Sequence, residues 1–379
     1  MTSFAYVDEL RSLGLAAGLD AVGVASAEPF SVARRVLTER KAAGLHGSLC
    51  FTYGNPERAT DPSRALPGAQ ALVVGARSYR RRARRPRAGA PHARVASYAW
   101  ADHYRPLRDA LGQVARRLEA DGWRARVLAD DNALVDREAA TRAGLGWYGK
   151  NTNVLLAGRG SWFVLGSVIT DAPLPAATER MADGCGPCRR CLPACPTGAL
   201  VAPGVLDARR CLAALVQAPG PFPVEHRAAL GDRLYGCDDC QDVCPPNRLG
   251  DRAQSPPPAA EGDQAWVPVL ELLSQSDAEL LARFGRWYIP RREPRYLRRN
   301  ALVVLGNVGD GSDPAVGAAL RRAVADADPL VRAHALWAAH RLGLADVVDE
   351  GLAHERDASV LADVRAWAPS PLPAAEAGP

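Results

Sequence analysis

Eight of the nine cysteines fall between positions 185 and 244, and their spacing limits what that stretch can fold into. The first run reads Cys185-x2-Cys188-x2-Cys191-x3-Cys195-Pro196, the second Cys237-x2-Cys240-x3-Cys244-Pro245, and Cys211 lies between them. Two-residue gaps let a turn-rich loop aim three sulfurs at one point, and the fourth cysteine of such a run, placed before proline, turns outward to a second centre. The pattern is that of a ferredoxin-like segment holding two 4Fe–4S clusters. On this reading Cys185, Cys188, Cys191 and Cys244 bind one cluster, and Cys195, Cys211, Cys237 and Cys240 bind the other. Two structural zinc sites are the rival, since paired C-x2-C units also bind zinc. The third evenly spaced cysteine and the two Cys-Pro ends favour iron and sulfur. A disulfide framework fits poorly, because C-x2-C pairs without a secretory signal read as metal or redox sites. The ninth cysteine, Cys50, is expected to be a small apolar residue, buried or partly buried.

At 379 residues the chain has room for two or three domains, and with 47% hydrophobic residues it can bury a core. The start, MTSFAYVDELRSLG, lacks a basic-then-apolar signal pattern, and no long apolar run is present, so a cytoplasmic protein that does not cross a membrane is expected. The net charge of +5 is mild, but the arginines are clumped. One cluster is Arg80, Arg81, Arg82, Arg84, Arg85 and Arg87, which reads equally as a solvated loop. The other holds Arg286, Arg291, Arg292, Arg295, Arg298 and Arg299 with Trp287, Tyr288 and Tyr296. Arginines pair with phosphates and flat rings stack on bases, so the second cluster points to nucleic acid, with Arg298 and Arg299 as substrate-binding candidates.

Hydrophobic periodicity predicts helices over 5–17, 30–43, 103–120 and 134–143. Strands are predicted over 20–25, 71–76, 126–129, 153–156 and 162–170. Leu107, Leu111, Val114 and Leu118 mark the apolar face of the long helix. This alternation argues for an α/β domain over 1–175, without a dinucleotide fingerprint. The cluster domain is expected over 176–250, a linker over 251–263, and helical repeats over 264–368. In the repeats, Leu297-Arg298-x2-Ala301-x3-Leu305 recurs 34 positions later as Val331-Arg332-x2-Ala335-x3-Ala339. Such a period suggests HEAT-like hairpins, the alternative being an ordinary helical bundle. The tail, 369–379, is expected to be disordered.

The chemistry is expected between Asp130 and Asn151, DDNALVDREAATRAGLGWYGKN. Asp130 ends a predicted strand, where a partly apolar setting would raise its pKa and let it donate a proton. The plain alternative is a helix cap. Gly144, Gly146 and Gly149 allow close approach to a flat ligand, Trp147 could stack, and Lys150 could meet an anion.

The combination of AGLGWYGKN at 143–151, GSWFVLGSVIT at 160–170, LDARRC at 206–211, GCDDCQDVCP at 236–245 and RRNALVVLGN at 298–307 resembles the epoxyqueuosine reductase family. The resemblance implies reduction of the epoxide of epoxyqueuosine at the tRNA wobble position to the alkene of queuosine, using cobalamin and two 4Fe–4S clusters. It implies a general acid at Asp130, with Asp131 or Asp136 as fallback, and a substrate region at Tyr98 and Tyr104. The corrin would be lined by the backbone of Gly144, Gly146, Trp147, Gly149, Lys150 and Asn151 and by the strand reaching Thr170. Ser97, the order Asp102-His103-Tyr104, and Ala133 depart from the family pattern. An external low-potential electron donor and a monomeric chain complete the expectation. Three other readings stay open: a ferredoxin-type electron carrier, a dehalogenase-like reductase of small molecules, and an RNA-binding scaffold with zinc.

Overall fold

In the computed structural model, which describes residues 3–86, 89–253 and 255–368, the apolar run ALVVGA lies within β2, at the middle of a four-stranded sheet. The strands are β1 (Ala21–Ser26), β2 (Ala71–Ser78), β3 (Ala125–Ala129) and β4 (Phe163–Thr170), in the order β1-β2-β4-β3. Every pairing is antiparallel. The fold is mixed α/β, yet the sheet lacks the parallel crossovers whose carboxyl ends form a ligand crevice, so Asp130 owes its position to something else.

Both faces of the sheet are covered. On one face pack α1 (Phe4–Ala16) and α2 (Tyr104–Ala120), and Leu107, Leu111, Val114 and Leu118 are all fully buried there, as the periodicity predicts. Gly75 and Gly166 are register partners, and a Cβ on either would come within 3.0 Å of Leu111, so the paired glycines let α2 lie close on the sheet. On the other face lie Ala139 and Ala140 of α3 (Asp136–Arg142), with Val154 and Leu156 from the hairpin Gly146–Tyr148/Val154–Leu156.

The chain divides into two units, each built from separated stretches. One is Met1–Ala83, Ser97–Cys211 and Asp238–Asp263, and the other is Arg84–Ala96, Leu212–Cys237 and Gln264–Pro379. The expected domains run consecutively along the chain, whereas the chain leaves the first unit after Cys211 and returns to it at Asp238. The expected linker is also pinned. Arg80 pairs with Asp251 at 2.7 Å, Arg81 pairs with Asp263 at 2.6 Å, and Arg82 Nε donates to the Pro256 carbonyl at 2.8 Å. Half of the first basic cluster is thereby committed to structure. Arg87 and the tail 369–379 lie outside the described residues.

The second unit contains a three-stranded sheet of His92–Val95, Arg233–Tyr235 and Trp266–Pro268, which the sequence reading did not anticipate. After it come α4 (Arg295–Val308), α5 (Pro314–Val324), α6 (Pro329–Arg341), α7 (Ala345–Ala353) and α8 (Ala358–Trp367). The 34-residue repeat maps onto α4 and α6, which pack on each other, as do α5 and α6 and α5 and α7. Asp313 and Asp328 cap their helices from the N-cap position, each followed by proline in the first turn.

Candidate functional site

β3 ends at Ala129, and the next residue, Asp130, is held at φ 56°. A non-glycine residue in the left-handed region costs free energy, which a fold tolerates where the geometry has a use. The capping role weighed for Asp130 is not filled: the next helix, Asp136–Arg142, has Val135 at its N-cap and no side-chain cap, and the neighbouring Asp131 Oδ1 accepts from the Ala133 N–H at 2.8 Å within a turn. No hydrogen bond or ion pair ties the Asp130 carboxylate among the described residues. Asp130 is exposed by area, yet enough protein surrounds its carboxyl that burial raises its pKa. Asp131 and Asp102 add to the rise and Arg108 opposes it.

Around Asp130 the first unit gathers a polar recess. Tyr104, in the first turn of α2, is deeply set. Burial raises its hydroxyl first, and the charges of Asp130 and Asp136 raise it further, so the tyrosine stands beside both carboxyls. Asp136 opens α3. Burial and then Asp130 push its carboxyl well above the usual range, and its buried Oδ1 has no hydrogen-bond partner among the described residues. Arg137 supplies the opposing positive charge to Tyr104 and Asp136. Tyr98 sits in the turn Ser97–Ala99, part-buried against the same core, and the Ser97 N–H donates to Asp238 Oδ2 at 2.7 Å.

Tyr79 is a member of this recess that sequence reasoning missed. It follows β2 with no motif around it, its ring lies 5.8 Å from that of His103, and its hydroxyl accepts from Gln241 Nε2 at 3.1 Å. Gln241 stands between Cys240 and Cys244, so Tyr79 joins the recess to the second cysteine run. Asn247 reinforces this junction: its Nδ2 donates to the Gln241 carbonyl at 2.7 Å, and its Oδ1 accepts from the Ser161 N–H at 2.6 Å.

Burial pushes the Cys244 thiol up to about 11, and the charges of Cys185, Cys191 and Cys188 push the same way, so these four sulfurs share one neighbourhood. Four such thiols lose their protons together only to a cation, which fits an iron–sulfur centre. In the other set, Cys195 Sγ accepts from the Ala199 N–H at 3.2 Å.

The segment Gly144–Asn151 lies against the cysteine runs. Gly146 and Gly149 are required by the hairpin itself, because a Cβ on either would lie 2.1 Å from Leu155. Gly144, at φ 70°, ends α3. Trp147 Nε1 points at Cys185 Sγ, at 3.5 Å, and Lys150 Nζ donates to the carbonyls of Gly186 and Cys188. Asn151 Nδ2 donates to the Cys240 carbonyl at 3.4 Å. The segment seats both cysteine runs. Thr170 stands at the opposite end of β4 from Asp130. It pairs with Ala125 whereas Gly166 pairs with Ala129, and its buried hydroxyl accepts from the Ala172 N–H. The structure therefore does not bring Thr170 to the recess.

Two further expectations are corrected. Cys50 is exposed, because it precedes a single-turn helix that buries nothing. Arg299 is fully buried and cannot meet a substrate. Its guanidinium donates to the carbonyls of Leu215, Val216, Ala218 and Gly220 and to Asn300 Oδ1. Arg298 is paired with Asp277 and the Gln275 carbonyl, leaving 17% of its side chain exposed. Trp287 and Tyr296 are buried as well. What the second basic cluster offers solvent is Arg286, Tyr288, 65% exposed, and Arg291 and Arg292, the last two in the left-handed region.

Known proteins resemble both the cysteine-bearing segment and the chain as a whole. Residues 184–247, which contain all eight clustered cysteines, match the family model of a 4Fe-4S double cluster binding domain. The chain is 34% identical over 343 residues to an epoxyqueuosine reductase of Xanthomonas campestris pv. campestris, covering 88% of this chain and 96% of the relative. It is 32% identical over 368 residues to that of Bacillus subtilis, covering 94% of each. Among solved structures, a selenomethionine-labelled epoxyqueuosine reductase superposes with a TM-score of 0.86 at 30% identity, over 96% of this chain and 98% of that one. An epoxyqueuosine reductase with a tRNA-Tyr epoxyqueuosine-modified stem loop superposes with a TM-score of 0.84 at 29% identity, over 96% and 97%.

Proposed function

This chain belongs to the epoxyqueuosine reductase family, oxidoreductases acting on a modified base of tRNA, and from that premise we propose that Asp130 is the proton donor for epoxide opening. The observation that carries the assignment is a carboxyl without a partner among the described residues, held in a strained conformation and kept above its ordinary pKa.

Converting an epoxide to an alkene consumes two electrons and two protons, and the oxygen leaves as water. When the C–O bond breaks, the oxygen takes up negative charge. A protonated Asp130 within reach neutralises it, a contribution of about 10²–10⁴-fold. Tyr104 donates a hydrogen bond to the same oxygen or to the base. Arg108 offsets the charge left on Asp130 after transfer. The cysteines hold two 4Fe–4S clusters in the sets given by their spacing, and an external low-potential donor reduces them.

Cobalamin is the further cofactor in this reading, and it would supply the low-potential electrons at the epoxide carbon. The unsatisfied Asp136 Oδ1 fits a bound group with amide donors, such as those rimming a corrin, and Asp136, Tyr104 and Tyr79 would hold it. The helical hairpins of the second unit are of HEAT-like character, and Tyr288, Arg291 and Arg292 contact the tRNA backbone and an unstacked base. The protein acts as a monomer in the cytoplasm; among the described residues no helix is long and apolar enough to cross a membrane.

The test is turnover. Protein reconstituted anaerobically with iron, sulfide and cobalamin is given a strong reductant and tRNA carrying epoxyqueuosine, and the nucleosides are read by mass for loss of one oxygen. Conversion that requires added cobalamin supports the reading. Full conversion without it removes cobalamin from the proposal.

A further inference from the structure

Trp147 and Lys150 turn their polar groups to the first cysteine loop. The indole is 9% exposed, and its Nε1 donates to Cys185 Sγ at 3.5 Å. A Cβ at residue 184 would fall 2.7 Å from the indole ring, so Gly184 is what lets the ring lie against the backbone entering Cys185. The Lys150 ammonium donates to the carbonyls of Gly186 and Cys188, the second at 3.0 Å, which places a full positive charge within the loop that carries three ligands of one cluster. Composition marks this cation. Lys41 and Lys150 are the only lysines among 47 basic residues, so lysine stands here in a chain that otherwise uses arginine almost throughout. An ammonium is a compact point charge that fits between two carbonyls, where a planar guanidinium would need a wider opening.

A cluster becomes more negative on reduction. A donor on a ligand sulfur and a nearby cation both favour the reduced form, and hydrogen bonding and net charge are established determinants of cluster potential. We propose that Trp147 and Lys150 are positioning residues that raise the reduction potential of the cluster held by Cys185, Cys188, Cys191 and Cys244. The proposal rests on the ligand assignment above and is independent of the substrate. It gives the GWYGK segment an electronic role at the cluster, distinct from lining a corrin.

The experiment is a redox titration of the reconstituted protein followed by electron paramagnetic resonance, with iron counted for each variant. In Trp147→Phe and in Lys150→Met, one of the two midpoint potentials should move to more negative values while the other stays, with the larger shift in Lys150→Met. Full iron with both midpoints unchanged in both variants overturns the proposal. Should either variant lose iron, the native protein grown with 15N-indole tryptophan answers instead. Pulsed resonance on the reduced cluster should show a 15N coupling and an exchangeable proton, and absence of both overturns the role of Trp147. These readouts involve neither tRNA nor corrin, so failure of epoxide reduction leaves them standing, and unchanged potentials leave the epoxide reading standing.

Discussion

The loop after β3 and the start of α4 each place a charged residue where the fold must account for it, and they account for it in opposite ways. Arg299 is fully buried, and its donors are matched by four carbonyls of the 215–220 loop and by Asn300. Asp130 is exposed, stands in a strained backbone conformation, and has no partner among the described residues. A charge whose hydrogen bonds are all made inside the protein holds the protein together. A charge kept at a cost and left unmatched is kept for something that arrives.

The largest effect expected from this contrast is on stability. Arg299→Ala leaves several buried carbonyls without a donor and should cost about 3 kcal/mol or more in urea denaturation. Arg292→Ala, an exposed change in the same sequence cluster, should stay within about 0.5 kcal/mol and instead flatten the salt dependence of tRNA binding by about one unit. Equal stability of the two variants would dissolve the distinction. Next comes Asp130→Asn. Asparagine tolerates the left-handed region, so the loop should keep its shape and both clusters their iron, while turnover falls about 10²-fold or more. In the native enzyme the acid must be protonated, so turnover should decline as pH rises through the elevated pKa of Asp130, and that limb should vanish in the variant. Near-normal turnover would move the proton donor to Asp136 or to Tyr104.

The contrast also shows where the sequence could be read and where it could not. Helix α2 was legible because its apolar residues recur at helical spacing and all face one sheet. The double-cluster domain was legible because a cubane requires thiols at fixed offsets. Asp130 was legible as a residue, but its reason was not. The expected parallel-sheet crevice is absent, and the strain at φ 56° and the turn that Asp131 closes beside it are facts of three dimensions. Arg298 and Arg299 read as one basic pair because adjacent residues on a helix point about 100° apart, and no letter says which direction is the interior. The sheet of the second unit was missed because its strands have three or four residues each and lie far apart in the chain.

Asp136 offers the finest test of the contrast, because it is buried like Arg299 and unmatched like Asp130. Its carboxyl is pushed well above the ordinary range by burial first and Asp130 second, and Oδ1 lacks a partner among the described residues. At a pH below the ordinary carboxylate value, about 3.9, it is protonated in both folded and unfolded chains and has no effect on the balance. As pH rises from there toward the elevated folded value, the unfolded chain ionises first and binds fewer protons, so stability is lost across that window. Asp136→Asn removes the loss. In the protein free of corrin, the variant should melt above wild type at pH 8, and the gap should close as pH falls toward about 4. Adding cobalamin should narrow the gap at pH 8, because a bound donor to Oδ1 supplies wild type with the partner it lacks. A gap that ignores both pH and cobalamin would place Asp136 with Arg299, as a group whose partner is already inside the fold.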